Sequence, residues 1–130
     1  MKVILANKAE LTPIVINGAK RNVYGVIRDS LTFVFPASDG MDAIDSLFTA
    51  ENCERIIIEE DGGNLYLHNA YNIRVSLIKE SVEVEAATEN SDAVYEDRIM
   101  VTMAQRTYVE SHLAAMQAAI DMLCMEDVEV

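Results

Sequence analysis

The chain has 130 residues, 51% of them hydrophobic, and a formal net charge of −12 from 22 acids against 10 Lys and Arg. That length and apolar content suit one domain with its own core and exclude a wholly disordered chain. The acidity argues against a nucleic-acid partner, which needs clustered Lys and Arg, and against an anionic membrane surface.

The acidity is unevenly placed. Residues 1–78 carry ten acids and seven bases, whereas residues 79–130 carry twelve acids and three bases. Solubility is the plain explanation; a surface shaped for a basic partner, or a mimic of nucleic acid, is the sharper one. The start, "MKVILANKAELT", has neither the apolar length nor the cleavage site of a signal peptide. No apolar run nears the ~20 residues of a membrane span. The expectation is a chain that begins at Met1 and works in the cytoplasm or in a particle assembled there.

Residues 1–79 read as a β-rich domain. "KVILA" (2–6) is a short apolar run, and "LTPIVI" (11–16) is another. Pro13 places the second at a sheet edge or a strand start, because proline donates no ladder hydrogen bond. Asn17-Gly18 is a strong hairpin signal and predicts a turn there. "VYGVI" (23–27) and "LTFVFP" (31–36) follow, with Leu31, Phe33 and Phe35 alternating as on a buried strand face.

A short helix is predicted over about 40–50, with Ser38 or Asp39 as its N-cap. Met41, Ile44, Leu47 and Phe48 make one apolar stripe that should lie across the sheet. "ERIIIEEDGGNLYLHN" (54–69) reads as a hairpin turning at Asp61-Gly62-Gly63. In "YNIRVSLIK" (71–79), strict alternation puts Tyr71, Ile73, Val75 and Leu77 on one face and Asn72, Arg74 and Ser76 on the other.

Residues 80–97 carry seven acids and no base, and predict a solvated acidic loop, with Val82 and Val84 able to extend the strand before it. Residues 98–104 are a further strand of the same domain, with Ile99, Val101 and Met103 on one face. Residues 105–126 form a C-terminal helix. Thr107 and Glu110 are spaced as a capping box that starts it near Tyr108. Val109, Leu113, Met116, Ile120 and Leu123 then recur at spacings of 4, 3, 4 and 3, the a/d rhythm of a coiled coil. Alanines 114, 115, 118 and 119 flank this seam, and Tyr108, His112 and Met122 widen it. Such a helix is marginal alone in water and must pack on something. Either it docks on its own sheet, or it meets a copy of itself or another protein. The five seam residues are the candidate interaction site.

Residues suited to chemistry are sparse. His68 and His112 are the only histidines, and each reads as an ordinary boundary residue. Cys53 and Cys124 form no CxxC or Cys/His cluster and read as reduced thiols. Glu59, Glu60 and Asp61 lack the spacing of a calcium loop. No phosphate-binding glycine loop and no nucleophile beside a base is legible. No catalytic, cofactor or metal residue is therefore assigned, and the chain reads as a non-enzyme without cofactor.

Three stretches, "LTFVFPASDGMDAIDSLFTAENCERIII" (31–58), "YNIRVSLIKE" (71–80) and "VYEDRIMVTMAQRTYVESHLAAM" (94–116), resemble small proteins from the tail-gene region of bacteriophages and prophages of Gram-positive bacteria. The resemblance implies a virion component, of tail or baseplate, whose β-rich domain docks in a ring or hub and whose terminal helix serves assembly. The combined expectation is an α+β fold: an antiparallel β-sheet domain of six to eight strands, one short packing helix and a C-terminal α-helix. The expected function is structural, through contacts with itself as a homo-oligomer and with other particle proteins. The alternative is an acidic inhibitor or nucleic-acid mimic that binds a basic partner.

Overall fold

Eight strands and two α-helices make up the computed structural model, which describes residues 1–128 and the side chains of all of these except 114 and 122–128. In chain order they are β1 (Lys2–Ile4), β2 (Glu10–Leu11), β3 (Val15–Val23), β4 (Val26–Pro36), α1 (Met41–Leu47), β5 (Arg55–Glu59), β6 (Leu65–Asn69), β7 (Ile73–Glu85), β8 (Val94–Ala104) and α2 (Tyr108–Val128). The strands form two four-stranded sheets, ordered β2-β1-β5-β6 and β3-β4-β8-β7, and every pairing is antiparallel. The class is α+β, as the element pattern implied.

One buried cluster serves both sheets. On β4, Leu31, Phe33 and Phe35 stand directly across from Met103, Val101 and Ile99 of β8, so all six share one sheet face. Val3 of β1, Leu5 just after it, and Ile56 and Ile58 of β5 face them from the other sheet. Ile44 and Phe48, from α1 and its end, complete the cluster; Phe48 lies 5.1 Å from Phe33 and 5.7 Å from Phe35, ring centre to ring centre. Burying each such side chain stabilises the fold by roughly 1.5–3 kcal/mol. Met41 and Leu47 pack partly against the same cluster, so the expected stripe of α1 is the face that docks.

The structure departs from the sequence expectations at several points. Gly40, at φ 85°, caps α1; neither Ser38 nor Asp39 makes a side-chain cap. Pro13 does more than mark an edge: it separates β2 in one sheet from β3 in the other, so the run 11–16 is two strands. The turn expected at Asn17-Gly18 is absent, because both residues lie inside β3, across from Thr32 and Leu31. The chain instead turns at Tyr24-Gly25, with φ values of 52° and 76°. Two consecutive positive values define the primed turn whose twist suits a two-residue hairpin. A hairpin closed at Asn17-Gly18 would soon place Pro13 in the ladder, where it has no N–H to give. Turning at Tyr24-Gly25 lets all nine residues of β3 pair with β4.

Strict alternation in β7 also fails. A bulge at Val75 leaves Arg74 across from Met103 and Leu77 across from Val101, so these two share the core-facing side. Arg74 thereby reaches the end of α1, where it pairs with the Asp45 carboxylate and donates to the Asp45 carbonyl (2.8 Å) and the Phe48 carbonyl (2.7 Å). A cation at a helix C-terminus satisfies carbonyls that the helix leaves open. The stretch 80–97, expected as an acidic loop, is mostly strand: β7 continues to Glu85 and β8 begins at Val94, which leaves 86–93 between them. The two strands run out together as an exposed, acidic β-arm.

Candidate functional site

Among the described residues, α2 is a long element whose apolar side chains the sheets leave uncovered. Its root is firmly set. After β8 ends at Ala104, the Gln105 amide donates to the Asp29 carbonyl and the Arg106 amide to the Ala70 carbonyl, both at 2.8 Å. The Gln105 side-chain amide donates to the Asn69 carbonyl at 3.0 Å, and Arg106 pairs with Glu54 at 3.2 Å. These bonds fasten the connecting residues to both sheets, since Asp29 lies on β4 and Asn69 on β6.

The capping box expected from Thr107 and Glu110 is present. The Thr107 amide donates to the Glu110 carboxylate at 2.9 Å, and the Glu110 amide donates to the Thr107 hydroxyl at 3.2 Å. Glu110 has a second task that the spacing did not reveal. Arg28 of β4, only 4% exposed, grips its carboxylate with both terminal nitrogens, one of them at 3.0 Å. The same guanidinium donates to the Val23 carbonyl (2.9 Å) and the Gln105 carbonyl (3.3 Å). One buried side chain therefore joins the β3–β4 hairpin, the end of β8 and the first turn of α2. The Arg28 fork and the Thr107 amide hold the Glu110 carboxyl down to about 2. Nothing in the sequence marked Arg28, because burial of an arginine is a property of the assembled sheets.

From Val109 onward the apolar stripe is open. Val109 is 62% exposed, Leu113 57%, Met116 47% and Ile120 49%. They lie along one side of α2, as the a/d spacing requires. Leu123, the fifth expected member, falls on a side chain outside those described. The chain's own sheets do not cover this stripe. Tyr108 stacks on His112 at 5.9 Å within the helix. From Ser111 to Ile120 the helix carries no Lys, Arg, Asp or Glu.

Elsewhere, Cys53, His68 and Asp61 each have a place in the structure. Cys53 is fully buried in the core, and burial pushes its thiol up to about 12, which keeps it protonated and unreactive. Cys124 lies outside the described side chains. His68 sits edge-on to Tyr71 at 5.5 Å, and burial lowers its pKa. Asp61, at the expected β5–β6 turn, pairs with the terminal amine of Met1. Among the described residues, no group of three or more His, Cys, Asp or Glu side chains is placed to hold a metal ion. No described helix is long and apolar enough to cross a membrane.

No family model, curated protein or solved structure matches this chain.

Proposed function

We propose that this protein is a non-enzymatic assembly protein that works by docking the apolar stripe of α2 against a second copy of the chain. One observation carries this reading: the stripe Val109, Leu113, Met116 and Ile120 is exposed while the root of the same helix is rigidly fixed. A helix of this kind gains its stability from packing, so an open apolar stripe on it calls for a partner. The a/d rhythm suits a like helix, since knobs from one copy fill holes in another. The lack of charge from Ser111 to Ile120 suits a second copy of an acidic chain, which would otherwise repel its twin. The resemblance of three sequence stretches to phage tail-region proteins supplies the setting: a bacteriophage or prophage particle, at the tail or baseplate, with other particle proteins as further partners.

Leu113→Asp tests this. Leu113 is exposed and serves no core, so the domain stays folded while the seam gains two or more carboxylates. Light scattering should show an oligomer for the full chain and a lower mass for the variant. Ala118, expected beside the seam, lies nine residues and so two and a half turns after Val109, on the opposite face of α2; Ala118→Asp should therefore leave the mass unchanged. Equal masses for all three chains would remove the helix from any self-contact.

A second reading rests on the β-arm of β7 and β8. Its outer part carries Glu80, Glu83, Glu85, Glu96 and Asp97, all five exposed, around exposed Val84, Val94 and Tyr95. That surface favours an inhibitor of a basic, nucleic-acid-binding partner. Its signature would be partner binding that weakens steeply between low and physiological salt, whereas an apolar seam between two acidic copies should hold or tighten as salt screens their repulsion.

A further inference from the structure

Strand β6 is an edge strand, and it lacks the devices that usually keep edges apart. Among the described residues it pairs with β5 alone. Natural edges are blunted by lysine, proline, bulges or a covering element. β6 has none of the first three: its sequence is Leu-Tyr-Leu-His-Asn, and its five pairs with β5 run without a register shift. It is not covered either, since Leu65 is 64% exposed, Tyr66 47% and Leu67 59%. Three consecutive large apolar residues are thus open on both faces of the strand. Its far end is occupied, where the Gln105 side chain holds the Asn69 carbonyl.

Charge identifies the occupant. From Gly62 to Ile73 the sequence has no Lys, Arg, Asp or Glu, the longest such run in the chain. A basic or acidic partner would find nothing here to pair with. A second copy of a chain with net charge −12 would find one of the few places where the two do not repel. The sequence is also self-complementary. In an antiparallel pair centred on Tyr66, Leu65 stands across from the partner's Leu67, Tyr66 from the partner's Tyr66, and Leu67 from the partner's Leu65. Aromatic and aliphatic cross-strand pairs of this kind are favourable.

We infer that β6 pairs with β6 of a second copy, joining two β2-β1-β5-β6 sheets into one continuous eight-stranded sheet across a twofold axis. Five residues of pairing bury less than the ~1,200 Å² of a standard stable interface. The contact is accordingly weak and concentration-dependent by itself. Joined to the α2 seam, and in this respect resting on that reading, it gives the chain two separate self-complementary faces. Two such faces link copies beyond a dimer, into a closed ring of dimers or an open row.

Sedimentation of full-length variants over a range of concentrations separates the two contacts. In a Leu113→Asp background, which disables the helix seam, the protein should dimerise reversibly as concentration rises. Adding Leu67→Lys, a charge of the kind that blunts natural edges, should return it to monomer. Hydrogen exchange at the outward amides of β6 should slow with concentration in the first chain and not in the second. A Leu113→Asp chain that stays monomeric at the highest soluble concentration would overturn the inference. So would a dimer that Leu67→Lys leaves intact. If Leu113→Asp keeps the wild-type mass and Leu67→Lys lowers it, the β6 contact stands and the helix seam falls.

Discussion

Arg28 and Glu110 show how much one residue pair can decide. Removing the Glu110 carboxylate leaves a buried guanidinium with two carbonyls and no counter-charge. Because the folded state holds this carboxyl below its ordinary value of 4.5, the pair contributes stability above that value and loses it as pH falls toward about 2. Thermal unfolding of the wild type should therefore weaken over that acidic window by a component that Glu110→Gln removes. Helical circular dichroism should follow the same course, since the pair sits in the first turn of α2. Cys53 provides a second check. In a Cys124→Ser background, alkylation at pH 8 should be negligible until the protein is unfolded, because the Cys53 thiol is both buried and protonated. Tyr24 provides a third. It holds a positive φ that asparagine adopts with less strain, so Tyr24→Asn should stabilise the hairpin by about 0.5–1 kcal/mol in urea unfolding.

At the scale of elements, the sequence was legible where a local rule acts alone. The Asp61-Gly62-Gly63 turn formed because no competing pairing opposes it, and Gly63 takes a φ of 88° there. The Thr107–Glu110 box formed because capping is a matter of three residues' spacing. The rule failed where two local signals compete. Asn17-Gly18 is the better turn dipeptide, yet Tyr24-Gly25 wins because it lets the whole of β3 pair. The bulge at Val75 has no sequence mark at all; it follows from the need to seat both Leu77 and Arg74 on the side of α1. That helix is tied down by Phe48 and by the Arg74 fork on its final carbonyls. Phe48→Ala should cost about 3–5 kcal/mol, as expected for an aromatic ring removed from a packed core. Arg74→Ala should loosen α1 itself, seen as faster amide exchange at Phe48, whose N–H bonds the Ile44 carbonyl.

For the whole molecule, the division into two sheets was hidden because Pro13 reads as a sheet edge or a strand start and not as a change of sheet. Which sheet each half joins depends on contacts far along the chain. The candidate site was legible as a pattern: the spacing of Val109, Leu113, Met116 and Ile120 was plain. Whether that stripe faces the chain's own sheets was not, since periodicity describes a face and not what lies against it. The sheets are filled by α1 and by one another, and α2 is left outside them with its root clamped. The proposed seam between copies rests on that exposed stripe, on the fixing of the helix at its root and on its lack of charge from Ser111 to Ile120.

The most direct test places a spin label beside that seam. In a Cys124→Ser background, Gln117→Cys puts the label on an exposed residue next to Met116 and near the middle of the stripe, where parallel and antiparallel pairs both bring copies close. Pulsed electron resonance should give an intermolecular distance of roughly 10–20 Å, two helix side chains across an 8–10 Å axial separation, and Leu113→Asp should abolish it. Full-length labelled protein that shows no intermolecular coupling at any concentration would contradict the account.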